Sequence, residues 1–124
     1  DLRVLRPLNL SAIVNSVRRT GRLVVCDTGW RTLGPGAEVV AQVAEQALGA
    51  LKRPPVRLGL PDHPTPSSLS LAKTYYPDSG HIIDAVARLC DVAEPDAAAA
   101  HAEVVAARAG VPIDKPDPAF TGPF

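Results

Sequence analysis

The apolar positions fall into short blocks divided by turn residues, and the spacing within each block names its element. Leu2, Val4 and Leu5 form an opening block that Pro7 ends, so residues 1–5 read as a strand. Ile13, Val14 and Val17 then recur at helical spacing, with Asn15, Arg18 and Arg19 on the other face; Ser11 can cap this helix and Gly21 can end it. Residues 23–26 are a continuous apolar run, the mark of a strand covered on both faces as in a parallel sheet. That strand ends near Asp27, and a loop holding Gly29, Gly34 and Gly36 leads into a second helix. There Val40, Val43, Ala44, Ala47, Leu48 and Leu51 make one apolar stripe against Gln42, Glu45 and Gln46, while Lys52 and Arg53 suit the negative helix end.

Pro54 and Pro55 force an exit, and residues 56–60 read as a third strand. Four prolines between Leu60 and Gly80 predict an extended loop with at most one short strand. Asp78 can then cap a helix that buries Ile82, Val86, Leu89 and Cys90. Residues 96–109 are alanine-rich and helical, but their large apolar members are only Val104 and Val105, which predicts a helix riding on the surface. After Gly110 a proline-rich arm is expected to be either disordered or docked through Phe120 and Phe124. The order of elements is that of an α/β fold with right-handed crossovers.

Composition narrows the function classes. A chain of 124 residues is one domain, small for a complete multi-substrate enzyme. Its 13 basic and 13 acidic side chains cancel, so neither nucleic acid nor an anionic membrane surface is indicated as a partner. Hydrophobic residues reach 46%, yet no apolar run approaches the ~20 residues of a membrane span, which predicts a soluble protein. With no methionine and Asp1 at the edge of an apolar stretch, the chain reads as a fragment or excised domain. Cys26 and Cys90 read as small core residues rather than a disulfide, and with no signal-peptide pattern this favours the cytoplasm.

The search for chemistry is short. A glycine turn opening a helix invites an anion, and a ligand on the amides of Gly36, Ala37 and Glu38 would make the chain a stand-alone anion- or small-molecule-binding module. Against it, no G-x-x-x-x-G-K-[ST] is present, Val39 stands where G-x-G-x-x-G needs its last glycine, and Glu38 brings a negative charge into the first turn. His63, His81 and His101 sit in three different elements, and adjacent Asp62 and His63 do not form a chelating pair; no metal site is expected. Ser67, Ser68 and Ser79 lack a G-x-S-x-G context and read as turn residues, so no catalytic residue is assigned. Trp30, the only tryptophan, has two readings: a lid over the helix below, or with Arg31 an interface anchor. Candidate interface residues are Trp30, Arg31, Leu33, Tyr75 and Tyr76.

The words of the sequence add a resemblance. "DLRVLRPL", then "TGRLVVCDTGWRTLGPGAE", then "DHPTP" with a following tyrosine and proline, come in the order and spacing of the transketolase family carboxy-terminal domain over about residues 1–90. The nearest form resembles the beta subunit of the thiamine-diphosphate-dependent component of 2-oxo acid dehydrogenase complexes acting on pyruvate, branched-chain substrates or acetoin. The resemblance implies a three-layer α/β/α fold around a mostly parallel five-stranded sheet with one antiparallel strand. It divides the chain into a domain over 1–91 and a helical extension with a proline-rich arm over 92–124. It further implies that thiamine diphosphate and magnesium belong to the intact parent and not to this fragment, which carries no cofactor-binding residue. The fragment's role would be dimerisation and docking, within a homodimer that meets an alpha subunit and a lipoyl acyltransferase core, while the parent oxidatively decarboxylates a 2-oxo acid. A transketolase or 1-deoxyxylulose-5-phosphate synthase parent shares the same domain and stays open as an alternative.

Overall fold

The computed structural model describes residues 1–111, with the side chains of Leu69 and Lys73 left aside. The rest of the arm, with Phe120 and Phe124, lies outside the described residues. Helix α1 (Ser11–Thr20) is followed by strand β1 (Val24–Trp30), helix α2 (Pro35–Ala47) with a tight turn over Leu48–Ala50, strand β2 (Val56–Leu60), and helices α3 (Leu69–Tyr75), α4 (Ser79–Cys90) and α5 (Glu94–Ala107).

Among the described residues the sheet has two strands, β1 and β2, paired in parallel from Val24 opposite Val56 to Trp30 opposite Leu60, with a register irregularity after Cys26. Residues 1–5 do not join it. Val4 and Leu5 are exposed there, because an extended segment becomes a strand only where a neighbour takes up its backbone groups. The core lies on one face of β1, where Leu10, Val14 and Val17 of the α1 region meet Val39, Val43 and Ala47 of α2, with Val25 packed against them. Nothing larger than leucine is in this cluster, so α1 and α2 approach closely. Each fully buried valine supplies on the order of 1.5 kcal/mol or more.

Helix α4 packs on both strands with Ala85 and Leu89 buried outside that cluster, so β1 is covered on both faces at its start. From Cys26 onward the cover is one-sided. Cys26, Thr28 and Trp30 are exposed while Asp27 and Gly29 are half-buried, and Cys26 is therefore not a core residue. Cys90, at the end of α4, is likewise exposed and free.

Several helix details depart from the pattern. Asn9, not Ser11, supplies the side-chain oxygen at the start of α1, accepting from the Ser11 amide at 3.0 Å. Gly21 ends the helix as expected, in the left-handed region with its N–H on the Val17 carbonyl. The buried stripe of α2 is Gly36, Val39, Val43 and Ala47; Leu48 turns outward where the helix tightens. Its terminal carbonyl at Gln46 receives Arg18 of α1 at 3.0 Å rather than Lys52 or Arg53. Between Pro66 and Pro77, where a loop is expected, ten proline-free residues provide α3. In α4 the buried positions are Gly80, Ala85 and Leu89, while Ile82, Val86 and Cys90 are exposed. Helix α5 buries no residue fully and rests on α4, with His101 over Gly80 and its Nδ1 3.0 Å from Asp84 Oδ1.

Asp78 caps α4 as its position predicts, accepting from the His81 amide at 3.1 Å. His81 Nδ1 lies 2.7 Å from Asp78 Oδ1 and 3.2 Å from the Asp78 amide. A single nitrogen serves one partner at a time, donating to the carboxylate when protonated and accepting from the amide when not. Partial burial acts to raise the Asp78 pKa, but the hydrogen bonds and charge of His81, with the Gly80 amide, outweigh it and hold the carboxyl below its ordinary value. A lowered folded pKa stabilises above the unfolded pKa and is lost as pH falls through the folded one. We expect Asp78→Ala to cost about 1 kcal/mol at neutral pH. The difference from wild type should shrink as denaturation is followed down through the carboxylate range.

Candidate functional site

β1 and β2 end at the same edge of the sheet, and the loops leaving them gather most of the residues singled out above. The Arg31 amide donates to the Leu60 carbonyl at 2.9 Å, carrying the pairing one residue past β1. The Thr32 hydroxyl donates to Asp62 Oδ2 at 2.5 Å, and the Arg57 guanidinium donates to the Arg31 carbonyl at 2.6 Å. Asp27 folds back on its own strand, its carboxylate accepting from the Gly29 amide at 2.8 Å. The first loop is thus fixed at both sides before it turns.

The turn itself leaves no room. A Cβ at Gly34 would sit 2.2 Å from the Trp30 carbonyl oxygen, and one at Gly36 would sit 3.1 Å from Val25 Cγ1. Leu33 takes a positive φ of 61°, a conformation that costs a non-glycine residue on the order of 1 kcal/mol. Leu33 is 95% exposed, and Trp30, on the face of β1 that loses its cover, is 60% exposed. Trp30 is not a lid over a helix. It instead lines, with Asp62, His63 and Pro64, a small cavity of about 300 Å³.

Tyr75, a candidate for the interface by sequence, is instead buried, only 4% exposed. Its hydroxyl donates to the His63 carbonyl at 3.0 Å and accepts from Thr65 at 3.4 Å, while its ring stands 5.1 Å from that of His63. Tyr75 therefore pins the proline-rich loop beneath Trp30. Tyr76 meets Tyr75 edge-on at 5.1 Å and stays 47% exposed, but it faces the cleft toward Val104 and Val105 of α5. The structure brings Trp30, Arg31 and Leu33 together and sets Tyr76 on a separate surface. Asp62, His63 and Pro64 belong beside Trp30, and the signal for them was that the "D-x-P" turn follows the strand paired with β1.

The glycine turn does not present a free anion cradle. Pro35 has no N–H, the Ala37 amide donates to the Gly34 carbonyl at 2.9 Å, and the Glu38 carboxylate, bonded to Gln42 at 2.8 Å, occupies the first turn. No group of three or more His, Cys, Asp or Glu side chains converges among the described residues. A magnesium diphosphate needs oxygen ligands for the metal beside amides for the phosphates. Among the described residues no such set of oxygen ligands is gathered, and they do not fit that group. Partial burial pushes the Cys26 thiol up, away from the thiolate form a nucleophile requires. Among the described residues no helix is long and apolar enough to cross a membrane.

Residues 1–82, which span α1, β1, α2, β2, α3 and the start of α4, match the family "Transketolase, C-terminal domain". The chain belongs to the transketolase C-terminal domain family. It is 38% identical over 90 residues to the pyruvate dehydrogenase E1 component subunit beta of Rickettsia bellii, covering 73% of this chain and 28% of that protein. The mitochondrial pyruvate dehydrogenase E1 component subunit beta of Pisum sativum is 38% identical over 100 residues, covering 81% of this chain and 28% of its own. The acetoin:2,6-dichlorophenolindophenol oxidoreductase subunit beta of Cupriavidus necator is 40% identical over 82 residues, 66% of this chain and 24% of its own. The chain thus spans about a quarter of the length of these relatives. The sequence resemblance to this family and to dehydrogenase beta subunits holds, and the fold of this transketolase C-terminal domain is α/β.

The turn makes a direct prediction. Gly34→Ala must displace the Trp30 carbonyl, so the variant should lose about 1–3 kcal/mol in denaturant unfolding, the usual range for a strained site. The emission of the single tryptophan should change with it. An unaltered spectrum and stability would show that the loop accommodates a methyl group.

Proposed function

We propose that this chain is the carboxy-terminal dimerisation and docking domain of a thiamine-diphosphate-dependent 2-oxo acid dehydrogenase beta subunit. The observation that carries the reading is the Trp30–Leu33 loop, tied by hydrogen bonds at Arg31 and Thr32 yet exposed, inside the span that matches the family. Large apolar groups that a domain spends backbone strain to present are surface made for contact. The names of the relatives favour a dehydrogenase parent over a transketolase or synthase one.

On this reading the reaction, oxidative decarboxylation of a 2-oxo acid with transfer to lipoyl, takes place on other parts of the parent, where thiamine diphosphate and magnesium are bound. This domain meets its own copy, and the assembly meets the alpha subunit and the acyltransferase core. The parallel pair β1 and β2 is on this reading part of a three-layer α/β/α fold around a mostly parallel five-stranded sheet with one antiparallel strand. Residues 1–91 form the domain and 92–124 the extension, in keeping with a family match that stops at residue 82 and a helix α5 that buries nothing. Two free, exposed cysteines suit a reducing cytoplasm.

Sedimentation of the chain tests the dimer. A two-fold contact centred on Trp30 and Leu33 at the usual ~800 Å² per partner would let Trp30→Ala remove ~2 kcal/mol of association free energy. The expected result is a concentration-dependent dimer weakened about thirtyfold by the substitution. A chain that stays monomeric at high micromolar concentration would assign the dimer contact to other parts of the parent.

A further inference from the structure

The opposite end of the sheet, where β1 and β2 begin, is basic. Arg18, Arg19 and Arg22 come from one turn and Lys52 and Arg53 from another, and the Lys52 amide joins the two by donating to the Gly21 carbonyl at 2.9 Å. In a chain of zero formal net charge, this is a segregation of charge. A cavity of about 640 Å³ opens between α1, the start of β1 and α4, with Arg19, Arg22 and Lys52 in its lining and no carboxylate among the lining residues. The nearby carboxylate of Asp91 is already held by Arg53 at 2.6 Å.

Complementing helix ends explains part of this charge. Thr20, Gln46 and Leu89 belong to the last turns of α1, α2 and α4, and their carbonyls receive Arg22, Arg18 and again Arg22. A helix end carries roughly half a negative charge, so three ends do not cancel three lining cations with Arg18 beside them. Arg19 and Lys52 make no side-chain hydrogen bond among the described residues, and the cavity keeps a positive balance.

Two of the three cations are positioned rather than loose. Arg22 Nε donates to the Leu89 carbonyl at 2.6 Å, which fixes the guanidinium plane and leaves Nη2 without a protein partner among the described residues. The Lys52 stem lies on bare backbone, since a Cβ at Gly21 would come within 2.6 Å of Lys52 Cγ. Ser16 adds a hydroxyl to the lining, and Val24 and Val86 add an apolar wall. Planar guanidinium groups and an ammonium around a space of ligand size suit a phosphate, and the wall suits an apolar body attached to it. We infer that this cavity binds a small phosphate monoester with an apolar body, its phosphate on Arg19, Arg22 and Lys52 and its body on Val24 and Val86.

Calorimetric titration of the full chain with phenyl phosphate, inorganic phosphate and phenol tests the site independently of any dimer. Phenyl phosphate should bind with one-to-one stoichiometry, several-fold tighter than inorganic phosphate, and phenol should not bind measurably. Arg19→Gln and Lys52→Gln alter exposed side chains and should keep the circular dichroism of the wild type. Each should weaken phenyl phosphate about tenfold, the usual worth of a charge-assisted hydrogen bond. Arg31→Gln, at the other end of the sheet, should leave it unchanged. Absence of saturable binding, an equal loss in Arg31→Gln, or equal affinity for the phenyl and inorganic phosphates would overturn the inference.

Discussion

The turn from β1 into α2 has no space for a side chain at residue 34, and much of the domain follows from that. Because Gly34 lies against the Trp30 carbonyl and Gly36 against Val25, α2 starts in contact with the strand it covers. That close start sets Val39, Val43 and Ala47 at the depth where Val14 and Val17 of α1 can meet them. A core of valine and alanine works only at short helix separations, since small side chains leave voids at longer ones. The same tight turn puts Leu33 outward at a positive φ, next to Trp30 on the face of β1 that loses its cover after Cys26.

The two ends of the sheet then differ in character. Parallel strands place their carboxyl ends together and gather the carboxyl ends of the covering helices at the other edge. At the first edge the loops hold Trp30, Leu33 and the Tyr75 post under the proline-rich segment; at the second, arginine and lysine side chains collect around helix ends. This polarity comes from topology and the helix dipole rather than from net charge, which is zero.

What could be read from the sequence was what local chemistry decides. β2 was legible to the residue because Pro54, Pro55 and Pro61 bracket it, and the ends of α1 and α4 were legible through Gly21 and Asp78. The motif words around Trp30, Gly34 and Gly36 carried the family. What failed depends on neighbours. Residues 1–5 have strand composition without a strand beside them. In α4 Leu89 is buried as its spacing predicts, but the other buried positions are Gly80 and Ala85, whose smallness permits contact, while the larger Ile82 and Val86 remain outside. Tyr75 and Tyr76 are adjacent and identical in type, yet only one finds the His63 carbonyl. Cys26 sits in an apolar run whose second face loses its cover after two residues. Helix α3 is masked by the high proline content of its segment, although the gap between Pro66 and Pro77 is long enough for about two helical turns.

In the proposed dimer, the 30–34 loop, fixed by Arg31, Thr32 and the crowded Gly34, is the surface that a second copy of the chain covers. Trp30 is the only tryptophan, so its fluorescence reports on that contact without a label. The emission maximum should shift to shorter wavelength as protein concentration rises from nanomolar to high micromolar, with a midpoint matching the dimer constant from sedimentation. A spectrum that stays that of a water-exposed indole while the chain dimerises would contradict the account, because the contact would then be made by another surface.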